Sequence, residues 1–313
     1  MPEKRPFTFA AMMRGEDSGS AFIERARRIE SMGYSTAAMV DHFNQTFAPV
    51  PALTAAAIAA PSLRVLATVF DNDFRNPVLL AKEMVTIDRL TDGRVDVGIG
   101  AGWMESDYRQ TGIQYDPPGV RISRMEEALT VMKGFWRGEL FDYNGEHYTI
   151  EGLRGYPLPV QQPHPPVYIG GGGKRILGIA GREADIIGVH VRFGPDGQLD
   201  TIDTVREEMD KKFDWIRDGA GDRFDQIQFA LMLFAASIVD SESAKRDEIA
   251  AISERIGQPG EAVAASPYYL VGSERELIEQ IEALRETWNI THFTIPTAAV
   301  DSFAPVVKEL VGK

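Results

Sequence analysis

Short apolar runs alternate along this chain with longer segments in which apolar residues recur every three or four positions. The segment after the first run is an example, because its apolar positions from Ala21 to Ile29 fall on one helical face and Gly33 suits the end of a helix. Short apolar runs bounded by turn residues predict buried strands. In the first third of the chain these runs are residues 7–13, 34–40, 63–70 and 94–100.

The rest of the chain resumes this alternation after an interruption. A helical segment, residues 123–138, leads to a hairpin signal at Asn144-Gly145 and then to a proline-rich run that ends at Pro166. Beyond that run, four more strands are predicted at residues 167–170, 184–191, 227–239 and 291–296.

Eight strands with intervening helices, in a chain of this length, predict an α/β fold of the (β/α)8 TIM barrel type. The irregular region around residues 140–165 is then an insertion between strands 4 and 5. No linker separates two halves of the chain, so we expect residues 1–313 to form a single domain.

Composition narrows the possible functions. The net charge of −13 argues against a nucleic-acid-binding protein, because such proteins need clustered Lys and Arg. The chain has no cysteine, which excludes disulfides and thiolate chemistry. It has neither a long apolar stretch nor the apolar run of a signal peptide near its start, so we expect a cytoplasmic protein without a membrane segment.

In a barrel of this type the chemistry takes place in the loops that follow the strands. This rule selects Asp41-His42-Phe43 after strand 2, the segment 69–77 after strand 3, the segment 100–108 after strand 4, and the glycines after strand 5.

Four consecutive glycines, residues 170–173, end strand 5 and are followed at once by a predicted helix. Backbone N–H groups at the beginning of a helix form an anion-binding arrangement that suits a phosphate. The basic residues Lys174 and Arg175 favour this interpretation. The alternative is a flexible turn that binds nothing.

Asp41 and His42 directly follow strand 2, where both would lie near the mouth of the barrel. Histidine is the side chain best suited to exchange a proton near neutral pH, but an Asp-His pair is also a common structural dyad. The remaining histidines have no metal-ligand spacing, so no metal site is expected, and no GxSxG motif indicates a serine hydrolase.

Three segments carry a family resemblance: "NPVLLAKEMVTIDRLTDGRVDVGIGAGW", "DPPGVRISRMEEAL" and "PPVYIGGGGKRILGIAGREADIIG". They resemble the luciferase-like, or bacterial-luciferase-type, superfamily of flavin and deazaflavin oxidoreductases. The form "DNDFRNP…GAGWMESDY…GIQYDPPGVR" is most similar to its coenzyme F420-dependent branch.

The resemblance implies roles for individual residues. It implies that the cofactor phosphate lies on the glycines after strand 5 and that a non-proline cis peptide bond joins Thr68 to Val69. It also implies that Asp41 lies near the deazaflavin ring and that His42 handles a proton at the reacting face. The implied cofactor-binding residues are Asp41, Thr68, Val69, Ala101, Gly102, Gly170, Gly171, Gly172, Gly173 and Lys174.

One position departs from the family pattern. Sugar-phosphate dehydrogenases of the superfamily carry a glutamate directly after the strand 4 glycines, whereas this chain has Trp103 there and Glu105 two residues later. Glu105 is therefore a candidate acid or base. Trp103 either forms a wall of the substrate pocket or packs in the core, and the sequence does not separate the two.

The residues and the family resemblance lead to three hypotheses about function. The leading hypothesis is an F420-dependent oxidoreductase that transfers a hydride to or from a small organic substrate. The alternative in the same fold is an FMN-dependent monooxygenase that uses O2 and an external flavin reductase. The third is a barrel that binds a flavin or phosphorylated ligand without turnover. The resemblance also implies a homodimer.

Overall fold

The computed structural model describes residues 5–43, 47–194 and 200–313. Within these residues, eight parallel strands close into a barrel surrounded by helices, which confirms the predicted (β/α)8 fold. The strands, in chain order, are β1 Thr8–Met12, β2 Thr36–Met39, β3 Arg64–Ala67, β4 Phe70–Asp71, β5 Val95–Gly100, β6 Leu140–Asn144, β7 Thr149–Arg154, β8 Val167–Gly171, β9 Ile186–Val189, β10 Gln228–Met232, β11 Ala235–Ile238, β12 Tyr269–Gly272 and β13 Ile290–Ile295.

The barrel order is β3-β2-β1-β13-β10-β9-β8-β5, and pairing of β3 with β5 closes the ring. The closing register places Val65 opposite Val95 and Leu66 opposite Asp96. The helices are α1 Gly19–Ser31, α2 Pro49–Ala59, α3 Pro77–Leu90, α4 Glu105–Thr111, α5 Pro118–Arg137, α6 Lys174–Glu183, α7 Arg206–Ala220, α8 Glu242–Ile256, α9 Gly260–Ala265, α10 Glu274–Trp288 and α11 Ala304–Leu310.

Local signals explain several of these boundaries. Helix α1 begins after Ser18, whose hydroxyl accepts a hydrogen bond from the Ala21 N–H at 3.1 Å, and Gly33 beyond its end has a φ of 92°. Helix α10 begins with a reciprocal capping box between Ser273 and Glu276. Among the described helices, none combines the length and apolar character that crossing a bilayer requires.

The third predicted strand, residues 63–70, is wrong as a continuous element. Strand β3 ends at Ala67, the Thr68–Val69 peptide bond is cis, and the chain pairs again with β5 only at Phe70 and Asp71. The cis bond itself confirms the expectation drawn from the family resemblance.

The seventh predicted strand, residues 227–239, is also wrong as a single element. Only β10 belongs to the barrel, whereas β11 leaves it and pairs with β12 in a separate two-stranded parallel sheet. The change of partner occurs at Phe234, whose N–H donates to the Tyr268 carbonyl at 2.8 Å. The run is almost entirely apolar on both sides of Phe234, so its composition did not reveal the break.

The insertion between barrel strands β5 and β8 contains the predicted hairpin, formed by β6 and β7. Its turn is anchored to the barrel by Glu127 of α5. The Glu127 carboxylate accepts the N–H groups of three consecutive turn residues, Glu146, His147 and Tyr148, at 2.8 to 3.2 Å.

The barrel interior depends on one close backbone approach. A Cβ atom on Gly98 would lie 1.8 Å from the carbonyl oxygen of Ala67, so β3 and β5 could not be this close with any other residue there. This approach brings the ends of the two strands together at the mouth of the barrel.

Candidate active site

A cavity of about 460 Å³ opens at the carboxyl ends of the barrel strands. This is the end at which the chain was expected to carry its chemistry. It gathers side chains or backbone from the ends of β2, β4, β5, β8, β9 and β10. The predicted site residues that line it are Asp41, His42, Thr68, Val69, Ala101, Gly102, Gly170, Gly171, Gly172 and Gly173.

Two predicted site residues lie away from this wall. Glu105, the first residue of α4, and Lys174, the first residue of α6, are both exposed and are not among the residues that line the cavity. Arg175 is directed to α5, because its guanidinium donates to the Gly119 carbonyl at 2.7 Å and to the Ser123 hydroxyl at 2.8 Å. The basic pair that favoured a phosphate therefore contributes less to the cavity than the glycines do.

Packing excludes a side chain at some of the four glycine positions but not at all of them. A Cβ on Gly172 would lie 2.6 Å from the His190 carbonyl oxygen and 2.9 Å from the Arg192 backbone nitrogen, so the fold itself excludes a side chain there. A Cβ on Gly173 would have nothing within 4 Å, and its φ of −95° is open to any residue. Gly173 is the N-cap of the ten-residue helix α6 and lines the cavity, so it leaves the first N–H groups of that helix accessible to a ligand.

His42 is held by a buried carboxylate. Its Nδ1 lies 2.6 Å from Oδ2 of Asp107 on α4, and the Asp107 side chain is 4% exposed. Asp107 was missed in the sequence because it is 65 residues from His42 and stands among other acids in "WMESDY". The pair fixes the orientation of the imidazole at the cavity wall.

Trp103 forms part of the cavity wall, which decides between its two sequence interpretations. Its ring meets His42 edge-on, with centroids 5.5 Å apart, and stacks on Phe193 with centroids 4.4 Å apart. One part of the cavity wall is therefore formed by two stacked aromatic rings next to the histidine.

Asp41 lines the cavity but has partners within the protein. Its two carboxylate oxygens accept hydrogen bonds from the guanidinium of Arg75, and one of them also accepts the Asp71 N–H at 3.1 Å. Asp41 thereby ties the end of β2 to the loop that follows β4.

A second carboxyl on the cavity wall, Asp71, was not singled out in the sequence. Burial raises the pKa of Asp71 from 3.8 to about 7, even though hydrogen bonds from the Asp73 N–H and the Tyr108 hydroxyl oppose the shift. The nearby carboxylates of Asp73 and Asp41 raise this pKa further. Sequence alone could not choose between the two acids of "DND", because both follow the same strand.

On the opposite wall, the imidazole of His190 follows β9 and lies beside Gly170. Burial, with a smaller contribution from the positive charge of Lys212, lowers the pKa of His190 to about 4. His190 is therefore neutral at neutral pH and can donate or accept a hydrogen bond without carrying charge.

Two observations test whether these residues suit a phosphorylated flavin or deazaflavin. The Thr68 hydroxyl is buried at the cavity wall and has no hydrogen-bond partner among the described residues, so a polar ligand group could satisfy it. The space next to Gly173 is open at the beginning of a helix, where a phosphate is favoured. Both features fit such a group.

Comparison with known proteins agrees with this fold. The sequence model of the luciferase-like monooxygenase family matches residues 6–289, and the chain belongs to this family. A structural relative is the coenzyme F420-dependent tetrahydromethanopterin reductase from Methanopyrus kandleri, with a TM-score of 0.78 and 17% identity over 98% of this chain and 99% of that one. At this identity the similarity supports the fold.

Two sequence relatives use different cofactors. The F420-dependent glucose-6-phosphate dehydrogenase of Mycobacterium avium is 30% identical over 52% of this chain and 51% of its own length. The FMNH2-dependent dimethylsulfone monooxygenase of Pseudomonas putida is 32% identical over 41% of this chain and 35% of its own length. The chain thus spans about half or less of the length of these curated relatives.

Proposed function

We propose that this protein is an oxidoreductase that transfers a hydride between coenzyme F420 and a small organic substrate. The observation that carries the proposal is the joining, in one cavity, of an open glycine N-cap and an oriented histidine. The F420-dependent relatives in sequence and structure are consistent with it.

In this proposal the backbone around Gly171, Gly172 and Gly173 and the N-terminus of α6 hold the cofactor phosphate. The helix dipole and its unpaired N–H groups stabilise the negative charge without a basic side chain. When bound, F420 supplies or accepts the hydride at its ring. The chain positions this ring against the substrate and excludes water from between them.

His42 manages the proton that must move when a hydride is transferred. Asp107 holds Nδ1, and the imidazole lies at the cavity wall next to Trp103. A histidine oriented by a carboxylate is suited to donate or accept a proton at neutral pH.

Among the described residues, the cavity wall carries two arginines whose partners differ. Its two described arginines, Arg121 and Arg192, both have partners within the protein. Arg121 donates to the Gly102 carbonyl at 2.6 Å, and Arg192 lies 3.2 Å from Asp200 and 3.3 Å from Asp203. Because Trp103 stands on the cavity wall at the position where the sugar-phosphate dehydrogenases carry a glutamate, we do not extend the glucose 6-phosphate specificity of the relative to this chain.

The second candidate is an FMN-dependent monooxygenase, which the dimethylsulfone monooxygenase relative favours. The same glycines would hold the FMN phosphate, so the two candidates share the site and differ in the cofactor. The monooxygenase would need O2 and an external flavin reductase.

Equilibrium binding of F420 and FMN to the purified protein, followed side by side by titration calorimetry, tests the proposal. Binding of F420 at least tenfold tighter than FMN, about 1.4 kcal/mol, would support hydride transfer with F420. The reverse preference would indicate the monooxygenase. If neither cofactor binds, both functions are refuted, and if F420 binds but no substrate in a broad screen is turned over, the protein is a binding barrel.

A further inference from the structure

The carboxyl group of Asp71 has a fixed position at the cavity wall. Its Oδ1 accepts hydrogen bonds from the Asp73 N–H at 3.0 Å and from the Tyr108 hydroxyl at 2.9 Å, while its own N–H donates to Asp41. The two hydrogen bonds to Oδ1 hold the carboxyl, and the third holds the backbone of the same residue. Asp71 is 8% exposed, and the cavity is the space that it faces.

The second oxygen of this carboxyl lies against Gly102. A Cβ on Gly102 would fall 2.3 Å from Asp71 Oδ2 and 1.9 Å from the Tyr108 hydroxyl oxygen. Gly102 itself lines the cavity and has a φ of 71°, so both conformation and contact require glycine there. The absence of a side chain at this position brings the Asp71 carboxyl to the wall next to Trp103.

The cations around Asp71 are committed to other groups. Arg75 pairs with Asp41, and Arg124 lies 2.9 Å from Asp73. Arg121 donates to the Gly102 carbonyl and lies over the rings of Tyr108 and Tyr115, with distances to the ring centroids of 5.7 and 4.1 Å.

Asp107 on the neighbouring helix α4 pairs with His42. Burial therefore dominates at Asp71, with smaller contributions from the Asp73 and Asp41 carboxylates, and its pKa of about 7 leaves it partly protonated at neutral pH. A carboxyl in this state can both give and take a proton.

We propose that Asp71 is a second proton-exchanging group of the active site, in addition to His42. The inference rests on the proposed function. For a carbonyl substrate, bound reduced F420 would supply the hydride for the new C–H bond, and the C=O π electrons would move to oxygen. That oxygen takes the proton from the Asp71 carboxyl, whose O–H bond breaks to leave a carboxylate, and solvent then returns the proton. Oxidation of an alcohol runs through the same steps in reverse.

The carboxyl can be observed without any substrate. Carbon-13 NMR of the apoprotein labelled at aspartate side-chain carboxyls should show one resonance with a midpoint near pH 7, which disappears in Asp71→Asn. The control is Asp116→Asn, because Asp116 pairs with Arg124 and does not line the cavity. This variant should retain the resonance. A midpoint for Asp71 near pH 4 would overturn the proposal.

Proton uptake on cofactor binding tests whether the carboxyl faces the ligand. Calorimetric titrations with F420 in buffers of different ionisation enthalpy measure the number of protons taken up on binding. We expect this uptake to be largest just above pH 7, because a bound ring excludes water and raises the pKa of Asp71 further. Asp71→Asn should abolish this uptake while F420 affinity stays within tenfold of wild type, and Asp116→Asn should behave as wild type.

The outcomes separate the two proposals. Uptake that persists unchanged in Asp71→Asn would overturn the role of Asp71 and leave the proposed function intact. Failure of F420 to bind the wild-type protein would instead refute the proposed function, while the NMR titration would still report on the carboxyl.

Discussion

Adding one methyl group to each of two adjacent glycines separates what the fold needs from what a ligand needs. In Gly172→Ala the new Cβ would lie 2.6 to 2.9 Å from main-chain atoms of His190, Val191 and Arg192. These atoms belong to the segment that follows β9 and cannot rotate away. In Gly173→Ala the new Cβ meets no protein atom within 4 Å.

The expected magnitudes follow from these distances. Overpacking against backbone costs about 1–3 kcal/mol, so Gly172→Ala should lower the free energy of unfolding by this amount. In a chain of this size we expect the Tm to fall by roughly 2–4 °C per kcal/mol. Gly173 has φ −95° and ψ 153°, which alanine adopts without strain, and the entropic gain of about 0.4–1 kcal/mol is offset by the poorer capping of a helix by alanine. We therefore expect the stability of Gly173→Ala to lie within about 1 kcal/mol of wild type.

Cofactor binding should be weakened by Gly173→Ala, although this substitution is expected to have little effect on stability. The methyl group of Gly173→Ala would occupy the space at the beginning of α6 where the phosphate approaches, and we expect at least tenfold weaker cofactor binding, about 1.4 kcal/mol. A cofactor fragment that lacks the phosphate should bind the variant and the wild-type protein equally.

Calorimetric unfolding and cofactor titration of both variants measure these effects. Unchanged stability of Gly172→Ala would refute the reasoning from backbone contact. Unchanged cofactor binding in Gly173→Ala would show that the phosphate lies elsewhere.

Three further predictions concern the charged groups of the cavity. Asp107→Asn should leave cofactor binding intact but lower the rate of hydride transfer by about 10²–10⁴-fold, as measured in single turnovers, because His42 loses the carboxylate that orients it. Arg75→Met should lower the free energy of unfolding in urea by about 2 kcal/mol, because Asp41 is left buried without its cation. This is less than the roughly 3–5 kcal/mol of a fully buried pair, since the Arg75 side chain is 21% exposed. The free energy of unfolding of wild type minus that of Asp71→Asn should fall as pH rises from about 4 to about 7. The reason is that the folded state retains the Asp71 proton, whereas the unfolded chain loses it in this range.

Each of these predictions has a control or a contradicting result. A wild-type rate in Asp107→Asn would show that the orientation of His42 by Asp107 does not contribute to hydride transfer. Arg182→Met breaks a pair with Glu126 whose side chains are 50% and 38% exposed, so it should cost less than about 1 kcal/mol. A stability difference between wild type and Asp71→Asn that does not change between pH 4 and 7 would show that the folded Asp71 is not protonated.

The barrel was predictable because its signals are local. Each strand is a short apolar run, and each helix repeats its apolar residues with the period of the α-helix, so the order of elements can be read along the chain. The two errors, at residues 63–70 and 227–239, have one cause. Pairing partners are chosen in three dimensions, and an apolar run such as Leu231 to Ile238 does not record that its first half pairs with β13 and its second half with β12.

The site was partly predictable for the same reason. The glycines after strand 5 and the Asp41-His42 pair stand out because of their position after strands, and the family resemblance supplied the cis bond between Thr68 and Val69. Glu105 was a candidate only by its distance along the chain from Trp103, and the structure leaves it exposed outside the cavity wall.

The sequence by itself determined the fold class and the end of the barrel at which the chemistry should lie, because both depend on periodicity and strand order. Tertiary structure decided which acids matter. Asp107 reaches His42 across 65 residues, and Asp71 acquires its raised pKa from burial and, to a smaller extent, from the carboxylates of Asp73 and Asp41. Burial and electrostatic interactions depend on distances in space, and no local pattern of residues encodes them.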